Sequence, residues 1–342
     1  MTKLRAALIG CGVISPQHIQ GFANSSERAA LTAVCDLDSE KAETARKRYQ
    51  TFMGREVPTK AVTDYELLLA DPQIDAVDIC LPHHLHEAVA LAAAKAGKQI
   101  LCEKPLSPTL EGCDRIIEGC KAAGVLLMHG ENMRLYPVVV RAAEEIAAGN
   151  IGTVTGLQQT YAYWQPASMN EGWRGKLEEA GGGQLMDAAI HHVDVLRHLG
   201  GEMAALQAMT TQHRPELGAL SEDTGVLNFR YRAGHLGQLF AGHGTRNRGA
   251  SPLLTVFGDQ GSLTLQAYGK NQALVWFPYQ KEPQVLIETC SVQESFNAEI
   301  AHFVEAILDG VPLKCTPADG RANVQVILGA YESARTGCTV AL

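Results

Sequence analysis

The sequence lacks several features that would mark a membrane-bound or secreted protein. No uninterrupted apolar run approaches the roughly 18 residues that a membrane-spanning helix needs. The first ten residues contain neither a long hydrophobic core nor the small-residue cleavage site of a signal peptide. Internal repeats and low-complexity segments are also absent. We therefore expect a cytoplasmic protein with no membrane partner.

Runs of one charge sign and closely spaced cysteine pairs are absent as well. The 29 Lys and Arg residues against 37 Asp and Glu residues give a net charge of −8, and neither sign forms a long run. This distribution argues against nucleic acid as the main partner. The nine cysteines are odd in number and include no C-x-x-C pair. We expect small buried thiols in a reducing compartment rather than disulfides or a metal site.

The length and composition are those of a globular protein with two domains. Hydrophobic residues make up 46% of the 342 positions and charged residues 19%, close to the averages of soluble proteins. At roughly 100–200 residues per domain, two domains are expected. We place a dinucleotide-binding domain at residues 1–130 and a substrate-binding and oligomerisation domain at 131–342, with the C-terminal helix able to pack back on the first domain.

The first 130 residues alternate short apolar runs with longer segments of helical period. Strand-helix-strand spacing of this kind predicts parallel β-α-β units in a doubly wound α/β sheet. The predicted strands are 4–9, 31–35, 76–81, 99–102 and 125–129, and the predicted helices are 14–24, 39–53, 64–70, 86–96 and 110–123.

The alternation changes after Asn150-Ile151-Gly152. Strands then follow one another quickly through Gly-containing turns, which predicts an α+β domain with a large, mostly antiparallel open sheet. The predicted strands are 154–163, 204–212, 225–231, 236–241, 253–258 and 262–265, with helices at 138–148 and 183–199 and a last helix at 296–308.

A glycine-rich turn follows the first predicted strand, reading Gly10-Cys11-Gly12-Val13-Ile14 with Ser15 in the place of a third glycine. Two glycines allow a tight turn and close approach of the backbone to a pyrophosphate, which the following helix N-terminus stabilises. Asp36 ends the second strand 26 residues after Gly10, where an acid accepts hydrogen bonds from ribose hydroxyls. No arginine adjoins it, so NAD is favoured over NADP. The alternative is an ordinary strand-to-helix turn with Asp36 as a helix cap.

Two further motifs end predicted strands at the same carboxyl edge, where cofactors bind in such sheets. Leu81, Pro82, His83 and His86 follow the strand at 76–81. A metal site is one interpretation of the histidines there, but no acidic or cysteine ligand is near them in sequence, so we predict cofactor contacts and no metal. Glu103-Lys104-Pro105 follows the strand at 99–102. Either Lys104 is a solvated turn residue, or the X-Pro bond, cis or trans, directs its ammonium into a cleft.

Three glycines, Gly181-Gly182-Gly183, precede a helical segment that carries Asp187, His191 and Asp194. Their spacing of i, i+4 and i+7 places the three side chains on one helix face. A carboxylate and an imidazole on one face can form the pair that general base catalysis uses. The alternative is a buried histidine satisfied by a capping aspartate.

Together these motifs resemble the Gfo/Idh/MocA family of NAD(P)-dependent oxidoreductases, and the resemblance runs nearly end to end. It implies a Rossmann domain followed by an α+β domain whose open sheet serves as an oligomer interface. It also implies reversible hydride transfer at a secondary alcohol carbon of a sugar, cyclitol or sugar derivative. The residues that carry it are Gly10, Gly12, Asp36, Pro82, His86, Glu103-Lys104-Pro105, Trp173-Arg174, Gly181-Gly182-Gly183, Asp187, His191, Asp194, Glu299, Phe303, Gly310, Pro312 and Tyr331-Glu332-Ser333-Ala334.

By this resemblance the catalytic residues are Lys104, Asp187 and His191. Oxidation of an alcohol needs a base for the hydroxyl proton, and we expect His191 to be this base, oriented by Asp187. Lys104 is expected to stabilise the developing negative charge on the same oxygen. The family often has Asn where His83 stands and Gly where Ala189 stands. These departures leave the local cofactor contacts and the helix packing open.

The expected cofactor contacts and substrate contacts follow from the same motifs. Aromatic and guanidinium groups suit sugar faces, hydroxyls or an acidic group, although sheet core and surface charge are the alternative roles. The cofactor contacts are Gly10, Gly12, Val13, Ile14, Asp36, Leu81, Pro82, His83, His86, Glu103 and Lys104; the substrate contacts are Tyr161, Trp164, Trp173, Arg174 and His192, with Tyr163 and Arg134 as further candidates.

The sequence therefore predicts an NAD-dependent dehydrogenase of a sugar, cyclitol or sugar derivative that assembles as a homodimer or homotetramer. A reductase of a keto sugar, or a nucleotide-sugar dehydrogenase, would carry the same motifs. A non-catalytic NAD-binding regulator is the alternative from another class. The presence of Lys104, Asp187 and His191 together argues against the regulator.

Overall fold

The computed structural model describes residues 3–217, 222–246, 253–268 and 271–342. The chain forms two compact units. The first contains Met1–Asn132 and Ser295–Arg321, and the second contains Met133–Glu294 and Ala322–Leu342. None of the helices in the described ranges combines the length and apolar character that a bilayer crossing requires.

The first unit contains a six-stranded parallel sheet in the order β3-β2-β1-β4-β5-β6. The strands are β1 (Leu4–Ile9), β2 (Ala29–Cys35), β3 (Lys60–Val62), β4 (Ala76–Ile79), β5 (Gln99–Glu103) and β6 (Leu127–Gly130), and the helices between them are α1 (Ser15–Asn24), α2 (Ser39–Met53), α3 (Tyr65–Ala70), α4 (His86–Lys95) and α5 (Leu110–Ala123). The predicted doubly wound sheet is confirmed.

Local sequence explains where these helices begin and end. Asp38 caps α2 because its side chain accepts the N–H groups of Glu40 and Lys41. Thr109 caps α5 in the same way through the N–H of Gly112. Gly54 ends α2 and Gly124 ends α5, both with a positive φ that other residues rarely adopt.

The second unit contains a nine-stranded sheet in the order β14-β13-β12-β11-β7-β10-β9-β8-β15. Only the pairing of β7 with β10 is parallel, so the predicted mostly antiparallel sheet is confirmed. The elements are α6 (Pro137–Ala147), β7 (Val154–Ala162), α7 (Leu177–Ala180), α8 (Ile190–Gly200), β8 (Met203–Thr211), β9 (Thr224–Tyr231), β10 (Leu236–Gly242), β11 (Leu253–Gly258), β12 (Gly261–Tyr268), β13 (Asn271–Pro278), β14 (Gln284–Ser291) and β15 (Val340–Ala341).

Two helices follow β14, namely α9 (Val292–Asp309) and α10 (Pro317–Thr336). The prediction that the helix at 296–308 is the last one is therefore wrong, because α10 comes after it. Gly320 and Gly329 interrupt the apolar period of α10. A Cβ at Gly320 would lie 2.8 Å from the His129 ring, so close packing requires glycine there. The strands β3, β13, β14 and β15 were also missed.

Candidate active site

The glycine turn lies where the order of the parallel strands reverses. β1 and β4 are neighbours in the sheet, and the connections run outward from them in opposite directions, which is the switch point where such sheets bind ligands. Gly10 has φ +99°, and a Cβ there would lie 2.3 Å from the carbonyl oxygen of Cys80. Only glycine therefore fits at this position. At Gly12 a Cβ would meet no atom within 4 Å, which leaves the space that a pyrophosphate needs beside the start of α1.

Asp36 is held against this turn rather than at a helix end. Its Oδ2 accepts the N–H of Cys11 at 2.9 Å, and its Oδ1 accepts the N–H of Asp38 at 3.0 Å. The cap of α2 is Asp38, so the alternative of Asp36 as a helix cap is not realised. A carboxylate in this position suits the ribose hydroxyls of NAD. The exposed apolar side chain of Val13, 67% accessible, lies in the same turn.

His86 is buried beneath the loop that follows β4. Its Nδ1 lies 2.8 Å from the carbonyl oxygen of Pro105, and its Nε2 lies 2.9 Å from that of Leu81. Burial lowers the pKa of this imidazole. With both ring nitrogens engaged by the backbone, His86 connects the ends of β4 and β5 instead of contacting the cofactor as predicted. His83 is buried as well, whereas Leu81 and Pro82 remain partly exposed.

The end of β5 carries Lys104 next to a cis peptide bond to Pro105. The Lys104 side chain is partly exposed. The backbone N–H of Lys104 donates to Oε2 of Glu103 at 3.0 Å. Glu103 itself is buried, with Oε1 3.0 Å from Nε2 of His18. Glu103 therefore points into the unit, away from the cofactor contact predicted for it, and holds the backbone from which Lys104 extends.

In the second unit, a π-helical turn, Leu185–Ala189, precedes α8 and carries Asp187. Asp187 accepts a hydrogen bond from Nε of Arg174 at 3.1 Å, and both side chains are partly exposed, at 18% and 25%. His191, in the first turn of α8, is also partly exposed. Turns of this type are frequent at functional sites.

The predicted common helix face requires Asp194 to be exposed like Asp187 and His191, and it is not. It is fully buried, accepts both Nε and an Nη of Arg134 at 2.9 and 2.6 Å, and accepts the amide of Asn323 at 2.7 Å. The regular 3.6-residue period assumed for 183–199 fails because the π-helical turn interrupts it. Arg134 is likewise committed to Asp194 and is not a candidate for substrate.

A polar cavity surrounds Asp187 within the second unit. Sequence reasoning missed Gln165, Gln184 and His243 there, because β7 and β10 are distant in sequence, and their parallel pairing brings His243 beside the end of β7. The side-chain amide of Gln184 is buried, and neither its nitrogen nor its oxygen has a hydrogen-bond partner among the described residues. The lining residues are Gln165, Asn170, Arg174, Ala180, Gly182, Gly183, Gln184, Asp187 and His243.

Two tyrosines extend this polar region, Tyr161 in β7 and Tyr163 directly after β7. The hydroxyl of Tyr163 lies 2.8 Å from Nε2 of His243 and donates to Gln165 at 3.0 Å. Burial raises the pKa of Tyr161 to about 12 and raises that of Tyr163 well above its ordinary value, with the Asp187 charge contributing to both. Both phenols therefore stay protonated near neutral pH and act as hydrogen-bonding groups rather than as bases.

The structure argues against two of the predicted substrate contacts. His192 is buried, stacks on Tyr161 with ring centroids 3.9 Å apart and contacts the amide of Gln159. Burial lowers its pKa to about 3. Consecutive helix residues point in different directions, so His191 is partly exposed while His192 packs inward. The guanidinium carbons of Arg214 and Arg246 lie 3.6 and 3.9 Å from the centroid of the Trp164 ring. These two arginines therefore cover the aromatic ring that the sequence predicts to contact a sugar.

Comparison with known proteins assigns both units to one family. Residues 4–131 match the model of an oxidoreductase family with an NAD-binding Rossmann fold. Residues 143–342 match the C-terminal alpha/beta domain of the same Gfo/Idh/MocA family. The chain belongs to this family. Membership of the Gfo/Idh/MocA family confirms the family, the fold class and the enzymatic activity that the sequence predicts.

Relatives of known activity share this family. The chain is 33% identical to levoglucosan dehydrogenase of Pseudarthrobacter phenanthrenivorans over 63% of its own length and 56% of the relative. It is 32% identical to 1,5-anhydro-D-fructose reductase of Ensifer adhaerens over 76% of its length and 74% of the relative. A solved structure of levoglucosan dehydrogenase with NADH and levoglucosan superimposes with a TM-score of 0.88 at 25% identity, covering 99% of each chain.

These findings confirm NAD as the predicted cofactor and an oxidoreductase as the predicted class of enzyme, and the relatives named here are a dehydrogenase and a reductase of sugar derivatives. The glycine turn, the open space at Gly12 and the carboxylate of Asp36 fit this cofactor. When bound, nicotinamide supplies the hydride chemistry, and the protein supplies position and electrostatics.

Proposed function

We propose that this enzyme transfers a hydride between NAD and one secondary alcohol carbon of a sugar, cyclitol or related polyol. The observation that carries the choice of substrate is the cavity of the second unit. It joins the Asp187 carboxylate and the Arg174 guanidinium to a buried amide, Gln184, that has no partner among the described residues. An amide can donate to one hydroxyl and accept from another. A polyhydroxylated molecule therefore matches these groups.

The proposed catalytic residues are Lys104, Asp187 and His191. Removing a hydride from a carbinol carbon requires loss of the hydroxyl proton, and His191 is proposed to accept it. Asp187 is proposed to orient this base, and the ammonium of Lys104 to stabilise negative charge on the substrate oxygen. The side chains of Lys104, Asp187 and His191 all lie at least partly exposed, as groups that touch a substrate must.

Assembly and location extend the same proposal. The nine-stranded sheet supports a homodimer or homotetramer, because one face of it is open to solvent along several strands. The nine cysteines are free thiols, which supports a reducing, cytoplasmic location.

The test is NADH formation by the purified enzyme with a panel of monosaccharides, anhydro sugars, inositols, sugar acids and nucleotide sugars. We expect at least one of these compounds to be oxidised and Gln184→Leu to raise KM for it. Gln184→Glu is the matched variant, since it keeps the size of the side chain while a carboxyl group replaces the donating amide. Tight NAD binding with no turnover of any compound in either direction would refute the proposal and favour a regulator.

A further inference from the structure

A histidine of α1 is enclosed by acidic side chains within the first unit. His18 is fully buried, with Nδ1 2.9 Å from Oδ2 of Asp78 and Nε2 3.0 Å from Oε1 of Glu103. Glu299 of α9 adds a third carboxyl group, and one atom each from His18, Glu103 and Glu299 lie within 4.8 Å of one another. We call His18, Asp78, Glu103 and Glu299 the buried network.

The charges in this network follow from its contacts. Carboxyl groups lie at hydrogen-bond distance from both ring nitrogens of His18, an arrangement in which an imidazolium donates to both. Although burial alone lowers the pKa of His18, the charge of Asp78 raises it well above the ordinary value. Neither oxygen of Glu299 has a hydrogen-bond partner among the described residues, and burial raises the pKa of this carboxyl well above its usual range. Burial and the lack of hydrogen-bond donors to its oxygens therefore both favour the protonated, uncharged form of Glu299.

Other groups surround the buried network besides its own carboxyl groups. β4 contributes Asp78, and Cys80 follows it; burial keeps the pKa of that thiol high, so it carries no charge. Glu131 follows β6 and acts on Glu299, where its charge also disfavours ionisation. The Phe296 ring, 5.3 Å from the His18 ring, completes the enclosure. No lysine or arginine is among these groups, so the imidazolium is the cation that balances the carboxylates.

The buried network adjoins the residues that contact cofactor and substrate. Glu103 accepts from His18 with one oxygen and from the N–H of Lys104 with the other. His18 belongs to α1, which begins directly after the glycine turn, and Asp78 belongs to β4, which leads to Leu81. The orientation of the Lys104 backbone is thus linked to the side chain of His18 through a single residue.

We propose that His18 is a positioning residue, which holds Glu103, and through it Lys104, by means of the buried network. The inference rests on the proposed role of Lys104 at the substrate oxygen. A divalent cation bound by His18, Glu103 and Glu299 is the competing occupant. Protons fit better, because both nitrogens of His18 already lie at hydrogen-bond distance from carboxylate oxygens.

The experiment compares two Glu-to-Gln changes in the same network. Glu299→Gln replaces an uncharged acid by an uncharged amide of the same shape, so we expect kcat within about twofold of wild type. Glu103→Gln removes a charge that His18 and the Lys104 backbone both use, so we expect kcat to fall about 10- to 100-fold. We expect the same fall in kcat for His18→Gln. In all three variants the Kd of NAD, measured by calorimetry, should change less than about threefold.

His302→Gln is the control for loss of a buried imidazole in the same unit. His302 accepts the N–H of Lys314 at 2.9 Å and lies outside the buried network. It should lower the unfolding temperature about as much as His18→Gln does, with kcat unchanged. A purely structural role for His18 predicts that both histidine variants lower stability while kcat per NAD-binding molecule stays at the wild-type value, and that result would overturn the inference.

A second measurement needs no substrate and separates this inference from the proposed function. After reductive ¹³C-methylation, the NMR signal of Lys104 is assigned by its loss in Lys104→Arg. This signal should shift in His18→Gln and Glu103→Gln and stay in place in Glu299→Gln and His302→Gln. An unmoved signal in the first two variants overturns the inference even if the enzyme is active. Stoichiometric binding of Zn²⁺ or Mn²⁺ that Glu299→Gln abolishes would also overturn it.

Discussion

At the scale of single residues, we expect Asp36 to decide whether NAD or NADP is accepted. Its carboxylate is fixed beside the glycine turn by the N–H groups of Cys11 and Asp38. A 2′-phosphate facing this carboxylate costs about 1–3 kcal/mol, which is roughly ten- to hundred-fold in affinity. We expect NAD to bind more tightly than NADP in calorimetry and Asp36→Ala to narrow the difference. Asp38→Ala, which removes only the cap of α2, should keep the preference; equal binding of both dinucleotides by wild type contradicts the prediction.

The proposed base and the proposed oxyanion-stabilising group give a second prediction. His191→Ala and Lys104→Ala should each lower turnover of an identified substrate roughly 10²–10⁴-fold, because each removes help in the transition state. The double variant should lose less than the product of the two losses, since both groups act on one oxygen. Steady-state kinetics measure the losses, and calorimetry checks that NAD still binds.

The control for these variants is His198→Ala, which removes an exposed histidine from the same helix, α8. Its turnover should match wild type. Near-normal turnover of either catalytic variant would assign the role elsewhere. Asp187 is then the next residue to test, because the protonated phenols of Tyr161 and Tyr163 and the buried ring of His192 are unsuited to act as bases.

At the scale of elements, the turn between β1 and α1 contains two glycines with different functions. Gly10→Ala would place a Cβ against the Cys80 carbonyl at a positive φ, so we expect it to destabilise the fold by about 1–3 kcal/mol. Gly12→Ala meets no protein atom within 4 Å. It should leave stability unchanged and weaken NAD at least about tenfold by filling the space for the pyrophosphate. Urea unfolding and calorimetry measure the two effects; a stable Gly10→Ala protein contradicts this assignment.

Glu299, which α9 contributes to the buried network, is expected to make the free energy of unfolding depend on pH. The folded protein holds a proton on Glu299 more tightly than the unfolded chain does, because burial raises the pKa of this carboxyl. Wild type therefore loses stability as pH rises above the unfolded pKa of about 4.5, by at most about 1.4 kcal/mol per pH unit from this group. Gln does not titrate, so Glu299→Gln should gain on wild type as pH rises from about 5 to 9. Urea unfolding across this range measures it, and a constant difference contradicts it.

The sequence predicted elements well where local signals agree and poorly where partners are distant. β1 is found at the predicted residues 4–9 because a short apolar run determines it, and α2 at 39–53 because a capped helical pattern determines it. The π-helical turn was missed because no residue type specifies it. The burial of Asp194 was missed because its partners Arg134 and Asn323 are far from it in sequence. The buried network was missed for the same reason. His18 and Glu299 are far apart in the chain, and only the packing of α9 in the first unit brings them together.

At the scale of the whole molecule, the chain does not divide at a single point. Ser295–Arg321 belongs to the first unit, although the sequence between residues 133 and 294 forms the second. The residues that return include Glu299 and Phe303, whose buried side chains lie in α9. Pattern reasoning detects a helix there, but it cannot show which sheet the helix covers, because both sheets present apolar faces.

The open face of the nine-stranded sheet carries both polar and apolar side chains. Its centre is a polar row across adjacent strands, in which Gln158 donates to Gln238 at 3.4 Å and Gln238 donates to Asn228 at 3.1 Å. Apolar side chains flank this row, including Met209 at 77% and Phe257 at 42% exposure. A mixed face of this kind resembles a protein interface, which combines apolar contacts with hydrogen bonds.

The last prediction follows from this face. Because exposed Met209 and Phe257 are unfavourable in water, we expect a dimer or tetramer in light scattering at micromolar concentration. Met209→Glu and Phe257→Glu place charges on the proposed interface, and together they should shift the mass toward that of a single chain. Leu67→Glu, an equally apolar exposed position of α3 in the first unit, is the matched control and should leave the mass unchanged. A wild-type mass equal to one chain would show that the face stays open to solvent, and a charge-resistant oligomer would place the interface elsewhere.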